Sequence, residues 1–141
     1  MRKSISDGVC VEASLVIGAL EGDGAAQALF ARWRQEGKEL VAPVLLDYEL
    51  LHWLWRIGQE SGECLSKYQA MGIELFHGRA VRQLASRFAM GKEALPWRDS
   101  IYVATAYILA CDLWSRDPGF VERARKRWEW VYLFDNGDTK V

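Results

Sequence analysis

The sequence predicts an α/β fold: one domain whose parallel central sheet of about four to five strands carries helices on both faces. Three observations carry this expectation. Short apolar runs of strand length alternate with longer segments of helical periodicity, the pattern of a parallel sheet built from crossover units. Glycine, proline and serine punctuate the junctions between these segments. The 141 residues, 50% of them hydrophobic, suffice for one core and fall short of two. The domain is read over 1–141, with its core over about 8–134 and a tail over 135–141.

Taken in order, Gly8–Glu12 reads as the first strand, and Ser14 as the cap of a short helix beginning at Leu15. Asp23 or Gly24 opens a second helix, with Ala26, Leu29, Phe30 and Trp33 on one face, and Gly37 closes it. Glu39–Ala42 is a strand ended by Pro43, and VLLDYELLHWLWRIGQES is a strong helix. Ser61-Gly62 breaks that helix, and Glu63–Ala70 forms another. GIELFHGRA is an irregular turn or a very short strand, Arg79–Ala89 a helix, and Gly91–Pro96 a loop. Asp99–Ala110, largely apolar, is a buried helix, followed by a strand over Cys111–Ser115. Pro118 starts a helix running to about Trp128, and Glu129–Phe134 is the last strand. Right-handed crossovers make every strand point the same way, so a ligand site belongs at the carboxyl ends, near a topological switch point.

Composition excludes several classes. A net charge of −1 excludes a globally basic nucleic-acid binder, though not a local basic patch. No apolar stretch reaches membrane-spanning length, and the start, MRKSISDGVC, lacks the apolar region of a secretory signal. The three cysteines, Cys10, Cys64 and Cys111, show no paired spacing and fit free thiols in a reducing cytoplasm. His52 and His77 form no cluster with zinc-site spacing, and there is no glycine-rich phosphate loop or nucleophile elbow. The seven tryptophans read mainly as core, but Trp53 and Trp55 point to different sides of one helix, which leaves an exposed ring for a dimer or partner surface.

Four acids stand where the fold would place chemistry. Glu12 ends the first strand, Glu49 lies in the first two turns after the second, Asp99 heads the buried helix, and Asp117 follows the strand DLWS. Singly, Glu49 reads equally as a solvated helix residue, Asp99 as a cap and Asp117 as a turn residue. Together they would repel unless a cation neutralised them, and a hard ion such as Mg²⁺ or Mn²⁺ suits oxygen ligands. Such an ion activates water and offsets charge on a phosphodiester in the transition state.

In order along the chain, VCVEASLVIGAL, APVLLDYELLHWL, WRDSIYVATA and DLWSRDPGF resemble the four acidic motifs of PIN domains, most closely those of VapC toxins of VapBC toxin–antitoxin pairs. The similarity runs from about Val9 to Phe134. It implies a single PIN-like domain, a metal-dependent endoribonuclease that forms homodimers and is silenced by a small antitoxin protein bound across its groove. It places the family's acids on Glu12, Glu49, Asp99 and Asp117, with Glu12, Asp99 and Asp117 holding the Mg²⁺ or Mn²⁺. The supporting hydroxyls of the first and last motifs fall on Ser14 and Ser115. One departure is that the first acid, usually aspartate, is Glu12; its longer arm is expected to crowd the ion, so that Glu12→Asp tightens Mg²⁺ binding.

The basic run on the helix after Asp117, with Arg123, Arg125, Lys126 and Arg127, is a solvated face or, where it borders the acids, a hold for RNA phosphates. The leading expectation is a cytoplasmic endoribonuclease toxin acting on RNA, with no membrane association. A catalytically weakened RNA- or protein-binding module is the alternative, and a metal-dependent phosphatase or DNA nuclease the third.

Overall fold

The computed structural model of the chain describes residues 7–58, 61–135 and 138–140. The chain runs β1 (Gly8–Val11), α1 (Ala13–Leu20), α2 (Gly24–Gln35), β2 (Glu39–Pro43), α3 (Leu45–Ile57), α4 (Ser61–Ala70) and β3 (Glu74–Phe76). It continues through α5 (Arg79–Phe88), α6 (Trp97–Leu109), β4 (Asp112–Ser115), α7 (Pro118–Arg125), β5 (Val131–Asp135) and β6 (Asp138–Lys140). The strands form one sheet in the order β3-β2-β1-β4-β5-β6. The first five in that order are parallel, and β6 pairs antiparallel with β5.

This order follows from the sequence pattern. All of β1, GVCV, is buried, as a strand with parallel neighbours on both sides and helices on both faces must be. From β1 the chain winds outward through β2 to β3, then returns to β1's other side as β4 and winds outward again to β5. Right-handed crossovers then place the first helices on one face and the later ones on the other. Accordingly α1 packs against α2, α3 and α4, whereas α6 packs against α5 and α7. The point where the winding reverses lies between β1 and β4, joined in register as Val11 opposite Trp114.

Several boundaries differ from expectation for identifiable reasons. Glu12, not Ser14, caps α1: its side chain accepts the Ser14 N–H, so the helix begins at Ala13 and β1 ends at Val11. Ser61 and Gly62 belong to α4 rather than breaking before it, since the first turn of a helix tolerates glycine where its interior does not. GIELFHGRA yields a true strand, β3, because β2's outer edge supplies backbone partners from Val41 to Pro43. Helix α7 stops at Arg125, before Trp128. The expected tail supplies β6, which runs against the common direction and covers the edge of β5.

Five tryptophans, Trp33, Trp53, Trp114, Trp128 and Trp130, are buried. Trp55 and Trp97 are exposed by 79% and 62%. Cys10 and Cys111 are buried and Cys64 is partly so, and none of the three is in a disulfide among the described residues. Among the described residues no helix is long and apolar enough to cross a membrane.

Candidate active site

The reversal between β1 and β4 opens a cleft of about 370 Å³, and all four of the acids singled out from sequence line it: Glu12, Glu49, Asp99 and Asp117. They arrive from four separate segments.

Glu12 is the residue at which β1 becomes α1. Its backbone N–H still donates to Trp114 O at 3.0 Å, extending the ladder by one bond. Its Oε1 accepts three hydrogen bonds: from the Ser14 N–H at 3.2 Å, from the Ser14 hydroxyl, and from the Ser115 hydroxyl at 2.6 Å. Each hydroxyl is itself fixed by a backbone donor, Ser14 Oγ by the Arg116 N–H and Ser115 Oγ by the Asp117 N–H, both at 3.0 Å. The supporting pair expected from the sequence is thus brought together around one carboxylate oxygen. Burial pushes the Glu12 carboxyl above its usual range; the Ser115 and Ser14 hydrogen bonds pull it back, and the Glu49 charge pushes it up again.

Asp99 lies in the first turn of α6, with Pro96 rather than the acid at the cap. It is only 8% exposed; its Oδ2 accepts a hydrogen bond from Arg123 Nε at 2.8 Å and is ion-paired with Arg123 Nη2, also at 2.8 Å. Burial raises its carboxyl, Arg123 opposes that rise, and the Asp117 charge adds to it. Asp117 caps α7, its Oδ1 accepting from the Gly119 and Phe120 N–H groups. Glu49 is engaged at both oxygens, Oε1 by the Tyr102 hydroxyl at 2.6 Å and Oε2 by Arg98 Nη1 at 3.2 Å. Tyr102 is almost fully buried, and burial together with the Glu49 charge holds its phenol well above the usual value.

The acids therefore divide. Glu12, Asp99 and Asp117 each commit one carboxylate oxygen, and among the described residues the other accepts no hydrogen bond. Glu49 commits both. The three with a free oxygen are the three expected to hold a metal ion. They offer hard oxygen donors, and Mg²⁺ keeps most of its waters and takes only one or two carboxylates directly. Among the described residues, however, no group of three or more Asp, Glu, His or Cys side chains is disposed to hold a metal ion.

The basic residues divide as well. Arg123 faces the cleft. Arg125, Lys126 and Arg127 line a separate depression with Trp128 and Trp130. There the Arg127 guanidinium lies 4.4 Å from the Trp128 ring, and Arg125 lies 5.9 Å from Tyr132. The geometry of α7 explains the split. It starts in the cleft at Asp117, spans about 12 Å, and delivers its last residues to the opposite end of the sheet, where β5 begins.

Sequence reasoning missed Arg98 and Tyr102 as partners of Glu49, and Trp97 as a wall of the cleft. Tyr102 is three residues from Asp99 on α6, a spacing that places both on one helix face. The counter-ions have no local signal, because Arg98 reaches back to α3 and Arg123 comes from α7. Compared with known proteins, the sequence matches no family model, and no curated protein matches it significantly.

Proposed function

We propose that this protein is a metal-dependent endoribonuclease of the VapC kind. The carrying observation is that carboxylates from four separate segments line one cleft at the switch point of a parallel sheet, three of them with an oxygen that accepts no hydrogen bond among the described residues. Glu12, Asp99 and Asp117 would hold the Mg²⁺ or Mn²⁺, which would supply Lewis acidity to activate water and offset phosphodiester charge.

The chain's own residues set the rest. Ser14 and Ser115 fix one oxygen of Glu12, a residue that lines the cleft. Glu49, tied to Tyr102 and Arg98, contributes charge and positions Arg98 at the cleft wall. Arg123, 43% exposed, is placed to exchange its Asp99 partner for a phosphate oxygen of the substrate.

On this reading the protein acts in the cytoplasm as a toxin, forms a homodimer and is restrained by a small antitoxin. The exposed Trp55, stacked on His52, supports an apolar contact surface on α3. The second reading, a weakened binding module, is favoured by the Arg123–Asp99 ion pair, which already neutralises one of the acids.

The test is cleavage of RNA with and without Mn²⁺, comparing wild type with Asp99→Asn. Metal-dependent cleavage reduced by about 100-fold or more is expected, the scale of losing a transition-state electrostatic contact. RNA binding without cleavage in either protein would select the binding module.

A further inference from the structure

We infer that Trp97 and Tyr48 form a stacking subsite that takes an unpaired nucleobase beside the acid cleft and so positions the adjoining phosphodiester. The inference rests on the reading of the cleft as an RNA-cleaving site.

Trp97 is the first residue of α6, two positions before Asp99, and it is 62% exposed. Tyr48, next to Glu49 on α3, is 66% exposed. The five buried tryptophans show that the core accommodates such rings, so two large aromatic faces left in water at one site need a reason. Their setting supplies one. A second groove of about 430 Å³, walled by Tyr48, His52, Arg56 and Trp97, shares Glu12, Glu49, Trp97 and Arg98 with the acid cleft. The two grooves adjoin across these four residues, the first acidic and hydrogen-bonding, the second aromatic with arginines.

That combination has a chemical counterpart. Single-stranded nucleic acid offers π-faces at regular intervals along a chain of phosphates, and proteins bind it with aromatic platforms and basic side chains. Arg98 and Arg56 supply charge beside the rings, and Arg98 is 60% exposed at its side chain even while paired with Glu49. A base in a duplex is already stacked on both faces and cannot use the platform. The subsite therefore selects unpaired segments and sets which linkage faces Glu12 and Asp99.

The probe is a fluorescein-labelled oligoribonucleotide of about eight nucleotides, within the usual span of such sites, and its fully paired duplex. Binding is followed by anisotropy in EDTA, so that no cleavage intervenes, and cleavage is followed separately in Mn²⁺. The single strand should bind more tightly than the duplex, and Trp97→Ala should weaken single-strand binding by about 5- to 150-fold, the range for one lost base–aromatic stack. Trp97→Phe should retain most of the affinity, which separates stacking from a general effect on folding. If Trp97→Ala binds the single strand as wild type does while wild type cleaves RNA, the subsite is wrong and the nuclease reading stands. Rings that serve a protein segment instead would give that same result. If wild type neither binds nor cleaves RNA, the nuclease reading falls and takes the subsite with it.

Discussion

Removing the Ser115 hydroxyl isolates the part of the site that holds Glu12. Ser115 is fully buried at the end of β4, donates to Glu12 Oε1 at 2.6 Å, and accepts from the Asp117 N–H at 3.0 Å. Ser115→Ala deletes a hydrogen bond to a charged group, about 1.5–3 kcal/mol, and strands a backbone donor. Ser14 still donates twice to the same oxygen, which limits the loss. The expected destabilisation at neutral pH is about 2 kcal/mol, read from the shift of a urea midpoint at constant slope or from a fall in Tm of roughly 6 °C. The loss should depend on pH. Because the folded-state pKa of Glu12 is raised, the native protein holds its proton to higher pH than the unfolded chain does. This group's contribution to stability is therefore greatest below the unfolded-state value of about 4.3 and declines as pH rises through the folded-state value. Ser115 pulls that value down, so its removal steepens the decline, and the gap between variant and wild type should widen from about pH 4 to neutrality. An equal gap at both pH values would mean that the hydroxyl does not act on the ionised carboxylate, and the account of the Glu12 network would be wrong.

Two other substitutions probe separate features. Glu12→Asp shortens the arm that reaches Ser115 and Ser14; it should cost about 1–2 kcal/mol and, against the expectation from residue identity alone, weaken Mn²⁺ binding in a calorimetric titration. Tighter binding by the aspartate would show that the glutamate is a misfit. Trp55→Glu, at a ring 79% exposed, should change stability by no more than about 0.5 kcal/mol yet shift the protein from dimer to monomer in sedimentation at tens of micromolar. An unaltered dimer would remove α3 from the interface, and a monomeric wild type would remove the dimer.

What was legible in the sequence, and what was not, divides along local and long-range causes. The run GVCV announces a buried strand because every residue in it is small or apolar, and the spacing of Leu46, Leu50, Trp53 and Leu54 announces the buried face of α3. The four acids were legible because parallel topology converts a position after a strand into a position in space. The strand Glu74–Phe76 was not decidable locally, since three residues show no period and only the edge of β2 makes them a strand. The end of α7 was missed for a similar reason. Helical spacing continues through Lys126 and Arg127, but Arg127 lies against the rings of Phe88 and Trp128, contacts that no local pattern contains. The arginine partners of Asp99 and Glu49 belong to the same class.

Glu12 shows how tertiary contacts bear on a question that residue identity leaves open. Read alone, a glutamate at the end of β1 is an acid one methylene too long for a compact metal site. In the fold that methylene has a use. It lets one carboxylate cap α1 through the Ser14 N–H and also reach Ser115 on the neighbouring strand. Both serines spend their single hydroxyl hydrogen on this carboxylate while accepting backbone N–H groups from the β4–α7 turn. An aspartate at the same backbone position could cap the helix as Asp23 and Asp117 do, through the first free N–H groups, but its shorter side chain would fall short of the contact to β4. One oxygen of the arm is therefore tied back to its own scaffold, while the residue still lines the cleft. The cost of the departure is the burial that raises its pKa, a cost that a bound cation would reverse by favouring the ionised form. Glutamate at position 12 and serines at 14 and 115 thus act as one unit, and each substitution within it should be read against the other two.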